Sequence, residues 1–106
     1  MTNDRTDFIL RVVAGPDLGG LFSLHRQRLI VGRSSTADIS LSDPAVARSH
    51  CCIVWDVERA VHMAEDWGHP GRISLNGVEV ARHARSVLKI GDELQIGKTV
   101  LRYESA

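Results

Sequence analysis

Excess charge of either sign is missing from this chain, in which thirteen Lys and Arg balance thirteen Asp and Glu over 106 residues. No global field draws it onto nucleic acid or an anionic membrane, so any anion recognition has to be local. Long apolar runs are missing too. The stretch C-C-I-V-W (51–55) is among the longest, and it falls far short of the roughly 18–20 residues that span a bilayer. The start, M-T-N-D-R-T-D, is polar with no apolar segment behind it. A signal peptide is therefore not expected, and the location read from the sequence is cytoplasmic, without direct membrane contact. Cysteine is almost absent. The only two, Cys51 and Cys52, are adjacent, and on a strand their side chains point to opposite faces, which excludes an ordinary disulfide or a metal pair. Reduced, half-buried thiols are expected.

Helical periodicity is the next absence. No extended stretch carries it free of turn signals, although A-R-H-A-R-S (81–86) has the makings of a single helical turn. Internal repeats, low-complexity segments and linkers are also lacking, which leaves one compact domain. Hydrophobic residues at 43% and charged ones at 25% are ordinary for a globular protein and argue against disorder.

What is present is a series of short, β-branched segments: F-I-L-R-V-V (8–13), L-F-S-L (21–24), R-L-I-V-G (28–32), C-C-I-V-W (51–55), A-V-H-M-A (60–64), V-L-K-I (87–90), E-L-Q-I (93–96) and T-V-L-R-Y (99–103). Each reads as a strand. Between them lie A-G-P-D-L-G-G, S-S-T-A-D, S-D-P-A, D-W-G-H-P-G, L-N-G-V and I-G-D-E, rich in the Gly, Pro, Asn and Asp that chain reversals need. Short strands with turn chemistry at this density predict an all-β sandwich and make an α/β enzyme fold a poor fit. Residues 1–7 are expected to be a polar tail and 8–104 the domain. The chain stops just after Tyr103, as a domain of a larger protein would.

Several kinds of chemistry fail on spacing. I-G-K-T (96–99) resembles the end of a phosphate-binding loop, but Gly91 and Gly97 are too far apart for that motif and V-L-R-Y follows where a helix is required. Gly97 and Lys98 read better as a hairpin turn. The histidines (25, 50, 62, 69, 83) form no paired zinc spacing and are expected on the surface or in turns, so no metal and no cofactor are predicted. Glu65 and Asp66 are neighbours that face opposite ways on a strand, so they cannot share a substrate. Ser49 lacks a base, because His50 points away once the strand begins. The chain is not expected to be an enzyme.

One constellation survives: G-R-S-S-T-A-D-I-S-L-S-D-P-A-V-A-R-S-H, residues 32–50. Arg33 and Arg48 supply guanidinium groups, and Ser34, Ser35, Thr36 and Ser49 supply hydroxyls, an inventory that suits a phosphate. It equally suits a solvated loop whose Ser and Asp residues satisfy its own backbone.

The order of residues goes further. G-R, D-I-x-L-x-D and V-x-R-x-H, then D-W-G leading to N-G (66–77), L-K-I-G-D-E-L-Q-I-G (88–97) and the opening V-A-G-P-D-L-G-G-L-F-S-L (13–24) together resemble the forkhead-associated (FHA) domain over about residues 8–103. The resemblance implies an FHA-type β-sandwich of two antiparallel sheets, about 10–11 short strands, that binds phosphothreonine peptides through loops at one end. Arg33 and Arg48 match peptide-facing positions, with Ser34 and Ser35 as further donors. Gly32, His50, Asn76 and Gly77 match positions that support the loops.

Three ligand-facing positions depart from the family pattern. Ala47 stands where a serine would donate to phosphate, and Pro70 and Gly71 where a Thr-Asn pair would contact phosphate and peptide backbone. Losing one charge-assisted hydrogen bond costs roughly 1.5–3 kcal/mol. Two functions are thus expected to compete. One is weak recognition of threonine-phosphorylated or similarly acidic protein segments. The other is a phosphate-independent assembly module within a larger bacterial protein such as a secretion-system component, an FtsK/SpoIIIE-type translocase or a regulator. Nucleic acid is not an expected partner under either.

Overall fold

The computed structural model describes residues 7–106. Eleven strands follow one another: β1 (Phe8–Ala14), β2 (Leu21–Ser23), β3 (Arg28–Gly32), β4 (Ile39–Ser40), β5 (Cys51–Asp56), β6 (Val61–Asp66), β7 (Ile73–Leu75), β8 (Val78–Glu79), β9 (Arg85–Val87), β10 (Glu93–Ile96) and β11 (Thr99–Ser105). They form two packed sheets, one ordered β2-β1-β11-β10-β7-β8 and the other β4-β3-β5-β6-β9. The all-β sandwich is the fold that the strand spacing predicts. Every pairing is antiparallel except β3 with β4, which is parallel. Of the expected tail only Asp7 is described; residues 1–6 lie outside the described residues.

Alternation along the strands builds the core. Leu10 and Val12 of β1, Leu94 and Ile96 of β10 and Leu101 and Tyr103 of β11 face Leu29 and Val31 of β3 and Cys51 and Ile53 of β5. Cys51 and Cys52 do point to opposite faces, but both are fully buried rather than half-buried. Cys51 joins the core. Cys52 lies on the outer face beneath long charged side chains: Glu65 pairs with Arg28 at 3.5 Å and with Arg85 at 2.8 Å, and the stems of such residues cover apolar surface well. Burial pushes both thiols above the ordinary cysteine range.

Some local expectations shift. Of V-L-K-I only Val87 belongs to a strand, because Asp92 accepts the Lys89 amide at 2.8 Å and folds 89–92 into a turn. Residues 82–83 form a turn and β9 starts at Arg85, so no helical turn occurs at 81–86. Buried His62 overturns the surface placement: its ring packs against Phe8, Trp55 and Tyr103 and Nδ1 lies 2.7 Å from the Tyr103 hydroxyl.

β1 and β11 pair along almost their whole length, from Phe8 opposite Ser105 inward. The Ala106 amide donates to the Asp7 carbonyl at 2.7 Å. The last strand thus extends to Ser105, beyond the segment 99–103 read from the sequence.

Thiol burial has a direct chemical readout. Ellman's reagent is expected to leave both cysteines of the native protein unmodified and to titrate two thiols after unfolding in guanidinium chloride; rapid native-state reaction would contradict the packing at Cys52.

Candidate functional site

Where β3 ends and β5 begins, backbone hydrogen bonds lace two loops together. The Arg33 amide donates to the Ala47 carbonyl at 2.9 Å, the Ser34 amide to Arg48 at 3.2 Å and the His50 amide to Val31 at 2.8 Å. This brings the backbone segments that carry Arg33 and Arg48 together. Gly32 permits the approach, since a Cβ there would run into the Arg48 carbonyl group and the Ser49 Cα. Arg33 Nε donates to the Val46 carbonyl at 3.0 Å, which fixes the guanidinium stem, and the residue is exposed.

The second loop is also anchored from below. Fully buried Asp43 accepts from the Ala45 amide at 2.9 Å, the Lys98 amide at 2.7 Å and the Thr99 hydroxyl at 2.9 Å. Burial pushes its carboxyl up, but these three donors outweigh burial and hold it below the usual carboxylate value. Asp17, from the turn between β1 and β2, accepts the Ser42 amide at 2.7 Å.

His50 joins this pair of loops to a third, between β6 and β7. The Ala47 amide donates to Nδ1 at 2.9 Å, so the ring proton resides on Nε2, which donates to the Gly71 carbonyl at 2.7 Å. The ring is buried, and burial holds His50 below its ordinary value. The third loop is organised by Asp66, whose Oδ2 accepts from the Gly68 amide at 2.8 Å and the His83 amide at 2.9 Å. Its Oδ1 lies 3.6 Å from Arg72 Nε. Glu65, its neighbour, faces the other way and receives the Trp67 indole N–H at 2.7 Å.

Arg33, Ser34, Ser35, Ala47, Arg48, His50, Pro70 and Gly71 therefore meet at one end of the sandwich. Arg48, Ser35 and Pro70 are exposed. Ser34 is less available than its hydroxyl suggests: Oγ accepts the Thr36 amide at 3.2 Å and lies 2.8 Å from Thr36 Oγ1. Asn76 and Gly77 are not part of this cluster. With φ of 50° and 83° they form the tight turn between β7 and β8 at the other end of β7, where Asn76 bonds to Asp92 at 2.9 Å and receives the Glu93 amide at 2.9 Å.

Two residues at the loop end escaped the sequence reading. Lys98 is exposed beside Asp43, in a hairpin whose spacing said only "turn". His69 rests on His50, with ring centroids 4.7 Å apart, and its Nδ1 accepts the Gly71 amide at 2.9 Å. Nothing in a lone histidine between Gly and Pro signals such a placement.

Residues 11–106 match a family described as the inner membrane component of T3SS, cytoplasmic domain. The chain belongs to this family. The fold of this T3SS-component cytoplasmic-domain relative is that of FHA domains: the FHA domain of the CT664 protein from Chlamydia trachomatis superimposes with a TM-score of 0.81 at 27% identity, covering 93% of this chain and 97% of that one. Curated relatives include an oxoglutarate dehydrogenase inhibitor of Corynebacterium efficiens, 37% identical over 92 residues. The glycogen accumulation regulator GarA of Mycolicibacterium smegmatis is also 37% identical over 92 residues. Each alignment takes in 85% of this chain but only 60% and 54% of the respective relative. These relatives carry the names of an inhibitor and a regulator, not of enzymes.

Two perturbations probe the lacing. Gly32→Ala is expected to destabilise at or above the upper end of the ~1–3 kcal/mol typical of overpacking, because the obstacle is backbone, and urea unfolding measures it. For His50 the folded-state proton affinity lies below that of the unfolded chain, so protonation favours unfolding. Its contribution is complete above the ordinary value of 6.5 and is lost as the pH falls below it. Unfolding free energy should decline from about pH 7 toward 5, and His50→Ala should flatten that decline.

Proposed function

We propose that this FHA domain is a non-enzymatic, cytoplasmic protein-interaction module that binds threonine-phosphorylated partner segments weakly. Arg33 and Arg48 anchor the phosphate, assisted by Ser35 and, to a lesser degree, Ser34. Gly32 and His50 hold the loops that present them, while Asn76 and Gly77 support the β7–β8 turn instead. Residues 8–104 serve as the domain, with no cofactor, metal or nucleic acid involved. The observation that carries this reading is the pair of arginines brought together by the Arg33–Ala47 and Ser34–Arg48 backbone bonds, with the Arg33 stem pinned to Val46. A preorganised guanidinium fork loses little freedom on meeting a phosphate. Weakness follows from Ala47, Pro70 and Gly71, none of which offers a side-chain donor.

The names of the curated relatives support a regulatory output exerted through a protein partner, and the family description supports residence on the cytoplasmic side. That description, of a component of a larger apparatus, also favours a second reading: the loops have lost their ligand and the domain works as a phosphate-independent assembly element.

Calorimetric titration against a degenerate phosphothreonine peptide library, with the unphosphorylated library as control, separates the two. Phosphate-dependent binding that disappears in Arg33→Ala is the outcome expected of a phospho-reader. Ala47→Ser should then tighten binding by about ten- to a hundredfold, as expected for restoring one donor to a charged group. Absence of binding to either library would leave assembly as the function.

A further inference from the structure

The loop end has lost donors at 47, 70 and 71, and the backbone cannot replace them. The Ala47 amide is spent on His50 and the Gly71 amide on His69, while Pro70 has none. His50 itself is buried and bonded through both ring nitrogens. His69 is different. It is only partly buried, and its ring lies on that of His50, one imidazole away from Ala47. Because Nδ1 accepts the Gly71 N–H, the ring proton of neutral His69 sits on Nε2. Nε2–H has no partner among the described residues.

Position 71 is fitted to this arrangement. A Cβ on Gly71 would lie 3.2 Å from His50 Cε1 and 3.3 Å from His69 Nδ1, so a side chain there would crowd both rings.

Resting on the phosphothreonine reading above, we infer that His69 is a specificity-determining ligand contact of this site, its Nε2–H donating to the phosphate in place of the missing hydroxyl. The donor is preset: the Gly71 amide fixes the tautomer and, with the His50 ring, the ring orientation.

His69→Asn separates ligand contact from loop bracing. An asparagine carbonyl oxygen can still accept the amide two residues on, as in an Asx-turn, yet its short side chain withdraws the outward donor. O-phosphothreonine is titrated into ¹⁵N-labelled full chain, with threonine as control, while backbone amides and the His69 imidazole nitrogens are followed by NMR. The expected result is saturable, phosphate-dependent binding in which His69 Nε2 shifts, with His69→Asn weakening affinity about tenfold and Arg33→Ala abolishing it. If the unsubstituted chain binds and Arg33→Ala does not, while His69→Asn binds as tightly as the parent and Nε2 stays unmoved, His69 is a brace only and this inference falls alone. If the unsubstituted chain shows no phosphate-dependent binding, the inference and the reading beneath it fall together.

Discussion

A single neutral imidazole ties together the loops at one end of this sandwich. His50 accepts a hydrogen bond from the Ala47 amide through one nitrogen and donates to the Gly71 carbonyl through the other. No other protonation state satisfies both, since a second proton would oppose the Ala47 N–H and loss of the first would leave Gly71 without its donor. The ring is buried, where an unmet polar group is expensive, so the two bonds reinforce the geometry they need. Ala47 is bonded at one nitrogen of that ring and Gly71 at the other. Asp43 performs the matching task beneath, fixing the same loop to the β10–β11 hairpin through three donors.

This lattice consists of main-chain groups bound to a few buried side chains. Ala47 contributes its amide and carbonyl, and Gly71 its carbonyl and amide. Neither contribution depends on a side chain. Arg33 is the exception, because its side-chain Nε belongs to the lattice while the residue is exposed.

The sequence was legible where a physical signal repeats and mute where the signal is a single contact. Long strands such as β1, β5 and β11 carry enough alternating apolar residues to be read directly. The two-residue β4 and β8 and three-residue β7 are too short for any period to register. Arg33 and Arg48 are adjacent in the fold as motif order implied, whereas Asn76 and Gly77, in the same run of motifs, turned out to serve a hairpin at the far end of β7. Spacing along a chain does not say which end of a strand a turn occupies. His69 and His62 were invisible for a related reason: each is defined by the rings it touches, from residues distant in sequence or across a loop.

The β1–β11 pairing has a geometric corollary. Thr99 opens β11 beside Asp43 at the loop end, so Ser105 closes it at the opposite pole, where the Ala106 amide meets the Asp7 carbonyl. Asp7 and Ala106 are therefore neighbours on the side remote from the arginines. A group attached at Ala106 would thus stand a full strand length away from the loops that carry Arg33 and Arg48.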